Sequence, residues 1–357
     1  MKKEPAIVLT NGMLDSDNAK TCHGLLRGTD RFEILAVIDH RFAGEDAGTI
    51  LDGHALGVPV YASVNDYFAA DNPQPTYCVV GVALPGGLLP EDFRSELIDA
   101  MQHNCSLVNG LHTFLSDDME FDTLAKEKGL ILMDIRKPRP RTELSFWNGS
   151  IFEVKTPRIA VLGMDCAIGK RTTCRFLMEA CREHGIQAEM IFTGQTGWMQ
   201  GYPHGFIFDS TVNDFISGEI EKAIVNCDRE ENPDLILIEG QSALRNPTGP
   251  CGSEFLMSGQ VKGVVLQHAP GREFHEGTEH VGCPIPTVAS EIALIGMYGA
   301  EVLAVTLNEM GQTDEQMQEH QRRLEAELGI PVLRPLKEGV DRLIPVVRQF
   351  IDENGGE

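Results

Sequence analysis

Short apolar runs alternate with helix-compatible stretches along the whole chain. In the first 140 residues the runs 6–9, 34–38, 77–82, 106–108 and 130–133 have the length and composition of buried strands. The stretches 90–101 and 117–128 repeat their apolar positions at helical spacing. Strand and helix in alternation predict βαβ units around a parallel sheet, a Rossmann-like domain. Asn11, Gly12, Asp39, Pro85, Gly86 and Gly87 fall just after predicted strands. Residues so placed share the edge at which open α/β sheets bind ligands. A second series has strands at 158–162, 188–192, 235–238, 263–267, 302–307 and 331–333, with helices at 172–184, 314–328 and 339–351.

Between the two series stands Arg136-Lys137-Pro138-Arg139-Pro140-Arg141. Its prolines lack donors and restrict the residues before them, so neither a helix nor a central strand continues through it. The expected division is a Rossmann-like domain over 1–140 and a P-loop-containing α/β domain over 141–357. No apolar run approaches the roughly 20 residues that cross a bilayer. The run at 6–9 breaks at Thr10-Asn11-Gly12, as a first strand does and a signal peptide does not. Nine cysteines without a CxxC pair suggest neither a disulfide framework nor a zinc site, and fit a reducing cytoplasm. His275-Glu276-Gly277-Thr278-Glu279-His280 has one residue too many for HExxH and contains a glycine; it reads as a polar loop. No metal site is expected.

A net charge of −23 argues against nucleic acid and anionic membranes as partners. The expected partners are a small-molecule substrate and, in a homo-oligomer, further copies of the chain. The charge also directs attention to the few cations placed after strands. The first turn of the first domain lacks GxGxxG, and Asp39 serves as well for a helix cap as for a ribose ligand, which disfavours NAD.

The buried-strand run 158–162 leads into Gly163-Met164-Asp165-Cys166-Ala167-Ile168-Gly169-Lys170-Arg171-Thr172-Thr173 and then a helix. Strand, glycine loop, lysine and helix make a phosphate site: backbone N–H groups curl around the anion, the helix dipole favours it, and Lys170 adds a charge. Five residues separate the glycines instead of the four of GxxxxGK[ST], a spacing found in dethiobiotin-synthetase-like loops. Arg171 stands where a magnesium-binding hydroxyl is expected, which favours direct phosphate pairing. Gly163, Gly169, Lys170, Arg171, Thr172 and Thr173 are the expected ligand-binding residues.

The run 233–238 ends in Glu239, in the manner of a Walker-B strand, and puts a carboxylate at the same sheet edge. Glu239 is a candidate general base, with His268 as an alternative proton carrier and Asp165 as a further catalytic acid. Thr193-Gly194-Gln195-Thr196-Gly197-Trp198 reads as a flexible loop suited to closing over a substrate through Gln195 and Thr196, with Trp198 in the core. Arg245 and Arg272 each follow a strand and can hold a carboxylate bidentately.

The loop 163–170, the segment 193–198 and Ile238-Glu239-Gly240-Gln241-Ser242 together resemble the D-glutamate N-acetyltransferase family, long catalogued as a domain of unknown function. Val80-Gly81-Val82-Ala83-Leu84-Pro85-Gly86-Gly87, Asn109-Gly110-Leu111-His112 and Asp134-Ile135-Arg136-Lys137-Pro138 extend the resemblance to the first half. Arg171 and Leu244-Arg245-Asn246-Pro247 depart from the commoner pattern. The resemblance implies transfer of acetyl from acetyl-CoA to the amino group of D-glutamate, with acetyl-CoA as co-substrate. The P-loop would cradle its pyrophosphate, Arg245 and Arg272 the two carboxylates of the acceptor, and backbone N–H groups around 194–197 the oxyanion. Two readings compete with it: an ATP-dependent ligase or kinase with Mg²⁺ on Asp165 and Glu239, and a non-catalytic nucleotide sensor.

Overall fold

The computed structural model describes residues 2–355. The chain divides into two compact units, Met1–Pro138 with Gln195–Tyr202, and Arg139–Gly194 with Pro203–Glu357. Both are α/β units built on parallel sheets, as the alternating pattern predicts. Among the described residues no helix is long and apolar enough to cross a membrane.

In the first unit the order is β1 (Glu4–Leu9), α1 (Lys20–Leu26), β2 (Phe32–Ile38), α2 (Ala47–Asp52), β3 (Val60–Tyr61), α3 (Val64–Ala69), β4 (Tyr77–Val80), α4 (Glu91–Gln102), β5 (Ser106–Asn109), α5 (Met119–Lys128) and β6 (Leu132–Asp134). The sheet runs β3-β2-β1-β4-β5-β6. Alternation along β1 divides the core between the faces: Ile7 and Leu9 join one cluster, Ala6 and Val8 the other. The direction of travel reverses between β1 and β4, the switch point of a doubly wound sheet. Asp39 caps no helix there; its carboxylate is taken up by loop hydrogen bonds. Its buried carboxylate accepts from Thr10 Oγ1 at 2.7 Å, the Leu14 amide at 3.0 Å and the Arg41 amide at 3.1 Å.

The second unit continues with β7 (Arg158–Gly163), α6 (Lys170–Glu183) and β8 (Ala188–Ile191). After α7 (Gln195–Gln200) come α8 (Asn213–Glu231), β9 (Leu235–Glu239), α9 (Ser253–Met257), β10 (Gly263–His268), α10 (Val288–Met297) and β11 (Glu301–Leu307). The chain closes with α11 (Asp314–Leu328), β12 (Val332–Leu333), α12 (Pro335–Glu338) and α13 (Ile344–Asn354). The sheet order is β12-β11-β10-β7-β9-β8. Its central strands are apolar on both sides and carry helices on both faces, the usual condition of a parallel sheet. Thr313 opens α11 with a capping box, and Gly329 ends it at φ 68°.

Three expectations need correction. The stretch 193–198 is not a flexible loop: α7 begins at Gln195 and belongs to the first unit. There Gln200 Nε2 donates to the carbonyls of Gly24 and Gly28 at 2.9 and 3.0 Å, and Arg31 lies over the Trp198 ring at 3.9 Å. The nineteen-residue helix α8 was not foreseen, nor was α10. The last helix starts at Ile344 instead of at 339, because Gly339 sits at φ 70° and Asp341–Leu343 forms a separate 3-10 turn.

Candidate functional site

Strand β7 ends at Gly163, whose missing side chain makes room for the lysine. A Cβ there would lie 2.8 Å from Lys170 Cδ. The loop turns through left-handed backbone at Ala167 (φ 53°) and Gly169 (φ 98°), and α6 starts at Lys170. Lys170 is not the surface charge that a loop lysine suggests: it is 7% exposed. Its Nζ donates to the carbonyls of Asp165 at 2.6 Å and Ser242 at 2.9 Å. Burial lowers its pKa, opposed by the nearby Cys166, Asp165, Cys251 and Glu239. Thr173 Oγ1 donates to Gln267 Oε1 at 2.7 Å, and Thr306 Oγ1 donates to the same oxygen at 2.6 Å. Thr172 remains half-buried on the first turn of α6.

Parallel pairing of β7 with β9 sets Val161 opposite Glu239, so the carboxylate comes to the same sheet edge as the loop. Glu239 is 5% exposed. Its Oε2 accepts the Thr193 amide at 3.0 Å, while Thr193 Oγ1 donates to the Glu239 carbonyl at 2.7 Å. Burial raises the carboxyl pKa above its ordinary value; Arg171, the Thr193 amide, Lys170 and the Gly194 amide pull the other way. Desolvation thus outweighs two cations and two amides at one carboxylate, which makes Glu239 a stronger base than an exposed glutamate while leaving it ionisable.

Asp165 is fully buried and holds the loop in place. It accepts from Arg272 Nη1 at 2.8 Å, Asn246 Nδ2 at 3.1 Å and the Glu276 amide at 3.0 Å, with His275 Nδ1 at 3.3 Å. Arg272 donates also to the Cys166 carbonyl at 2.8 Å. His275, which the sequence places in a polar loop, is 1% exposed and lies against Asp165. Its signal lay in the near-HExxH segment, whose first histidine is anchored in the protein.

The other expected residues are engaged in contacts of their own. Arg245 donates from Nε to Glu291 Oε2 at 2.6 Å and from Nη2 to Ser290 Oγ at 2.7 Å, at the start of α10. His268 follows Gln267 on β10 and so points to the opposite face of the sheet from α6. Burial there, with His320 and Arg323 of α11 nearby, pushes its pKa down to about 4. Gln195 and Thr196 lie in the first unit, where Thr196 Oγ1 is 3.1 Å from Thr21 Oγ1 and a Cβ on Gly110 would meet Gln195 Cγ at 2.9 Å. The helical start of α7 also replaces the loose glycine loop expected to supply oxyanion donors.

These features define a class: a two-unit α/β protein, Rossmann-like in its first unit and P-loop-bearing in its second, with an acidic strand end beside the loop. The chain belongs to the DUF1611 family. The P-loop domain of that domain of unknown function matches residues 145–344, and its Rossmann-like N-terminal domain matches residues 40–138. A D-glutamate N-acetyltransferase from a Pseudoalteromonas species is 30% identical over 271 residues, covering 74% of this chain and 79% of the relative. Another from Tritonibacter scottomollicae is 26% identical over 274 residues, with the same two coverages of 74% and 79%. The crystal structure of a DUF1611 family protein from Anabaena variabilis superposes with a TM-score of 0.87 at 29% identity, covering 97% of this chain and all of that one.

Proposed function

We propose that this chain is an N-acetyltransferase that moves acetyl from acetyl-CoA to the amino group of D-glutamate. The observation that carries the chemistry is Glu239, a buried carboxylate with a raised pKa at the strand end beside the P-loop. Donor and acceptor are supported by the names of the two relatives. An ammonium has no lone pair, so the acceptor must first lose a proton, and Glu239 takes it. The freed amine attacks the thioester carbonyl; a C–N bond forms, the C–S bond breaks, and CoA leaves as a thiolate that takes up the second proton shed by the nitrogen as it becomes an amide. Lys170 and Arg171 neutralise the phosphates of the donor. Arg245, whose Nη1 lies outside its bonds to Glu291 and Ser290, holds an acceptor carboxylate. Arg272 acts through Asp165 by fixing the loop.

Direct pairing without a metal is supported by Arg171 at the usual hydroxyl position and by Thr173, whose hydroxyl is engaged with Gln267. Calorimetry with CoA tests this reading. Binding should be unchanged by EDTA and weakened about tenfold or more in Lys170→Ala, by loss of a charged partner. A strict magnesium requirement, or ATP binding in place of CoA, would overturn it in favour of a nucleotide-dependent ligase.

A further inference from the structure

We infer that an uncharged aromatic strap in the second unit, residues 144–152 with Met257, is the seat of a second copy of this chain. In a protein with a net charge of −23, these nine consecutive residues include no charged side chain. Phe146, Trp147, Phe152 and Met257 are 65, 41, 67 and 54% exposed. The backbone beneath them is firmly held. Glu219, buried on α8, accepts the Ser145 amide at 2.8 Å and pairs with Arg139; Glu221, two residues further on, accepts the amides of Asn148 at 2.8 Å and Ile151 at 3.1 Å. Gly218 lets the strap lie directly on the helix, since a Cβ there would fall 2.0 Å from the Ser145 carbonyl oxygen. Trp147 Nε1 donates to the Ser258 carbonyl at 3.2 Å, and Phe146 packs on Phe215 at 4.4 Å between ring centres.

Aromatic side chains fixed in advance lose little entropy on docking and form the energetic centre of interfaces. At roughly 150–250 Å² for a whole aromatic residue, the exposed parts of Phe146, Trp147 and Phe152 amount to about 350 Å². That is a little under half of the roughly 800 Å² per partner in a stable interface, the share expected of its apolar core. A basic partner would be recruited by carboxylates, and the strap has none. The rim carries both signs in Arg141 and Glu143, while Glu153 is held within the chain by Arg229 at 3.3 Å. About a two-fold axis such a rim is self-complementary, the cation of one copy meeting the acid of the other.

Light scattering on the full chain should give about twice 39.3 kDa. Phe152→Asp, placed at an exposed ring and judged folded by circular dichroism, should weaken association roughly tenfold or more. Hydrogen exchange on the unaltered protein provides a reading that needs no variant: amides of 144–152 should exchange faster on dilution. A monomeric mass at about 100 µM would overturn the proposal and leave the face to a different partner. An assembly undiminished in folded Phe152→Asp, or exchange in the strap that is independent of concentration, would overturn it equally.

Discussion

Burial decides what Glu239 can do. In water its carboxyl would be ionised well below neutral pH and would be a weak base; desolvation at the end of β9 raises that pKa above the ordinary 4.5, while Arg171 and Lys170 keep ionisation within reach. Two pH effects of defined sign follow. As a base, Glu239 works only when deprotonated, so turnover falls as pH drops through its raised pKa, and the acid limb of the rate profile lies above 4.5. Glu239→Gln should lose that limb and about 10²- to 10⁴-fold in kcat, with a smaller change in CoA affinity. The effect on stability runs the other way. A group whose folded pKa is raised stabilises the fold fully below its unfolded pKa, and that contribution is lost as pH rises through the folded value. Glutamine stays neutral throughout, so the variant should gain stability relative to the parent as pH rises. Turnover within a few-fold of the parent, measured on both sides of neutrality, would remove Glu239 from the proton step. Lys170 shows the limit of reading such residues by motif. Its identity and place were legible in the sequence, whereas its burial under the carbonyls of Asp165 and Ser242 depends on a loop 72 residues away.

Elements became visible in the sequence in proportion to how plainly they alternate in polarity. β7, β9, β10 and β11 are buried on both faces and stand out as apolar runs. Helix α8 is illegible in the sequence because Glu219 and Glu221 are both buried, where they serve the strap's amides; carboxylates at buried positions erase the apolar stripe that marks a helix. α7 reads as a loop in the sequence because Gly194 and Gly197 flank polar residues, yet its buried Gln200 and Thr196 find partners around α1. The short β3 and β12, two residues each, offer too few positions for any period. Packing between β7 and β9 supplies a test at this scale. Gly240 passes so close to β7 that a Cβ would sit 2.3 Å from the Val161 carbonyl oxygen. Because the obstacle is backbone and cannot rotate away, Gly240→Ala should cost about 1–3 kcal/mol or more in the unfolding of the second unit, followed by urea titration. It should also shift Glu239 from its register beside the loop and lower turnover. A variant as stable and active as the parent would mean that the strands separate more easily than their pairing implies.

At the scale of the molecule, a chain of net charge −23 is proposed to bind two anions, a phosphate-rich donor and a dicarboxylate acceptor. That demands cations concentrated where they are used, and Lys170, Arg171 and Arg245 all lie on loops or helix starts after strands of the second unit, with Arg272 fixing the loop through Asp165. The two-unit α/β organisation was open to sequence reasoning, since alternation, linker and glycine loop are local signals. The acceptor was not, because Arg245 and Arg272 are bonded to Glu291 and Asp165 through contacts distant in sequence. The most direct measurement mixes the purified protein with acetyl-CoA and either enantiomer of glutamate and follows free thiol. D-glutamate should release CoA stoichiometrically with N-acetylglutamate, and L-glutamate should react much more slowly, because with the acceptor carboxylate held on Arg245 and the amine placed at Glu239 the inverted α-carbon misplaces the amine relative to the thioester. No thiol release from a folded preparation that binds acetyl-CoA, or consumption of ATP in a parallel reaction with magnesium, would contradict the account.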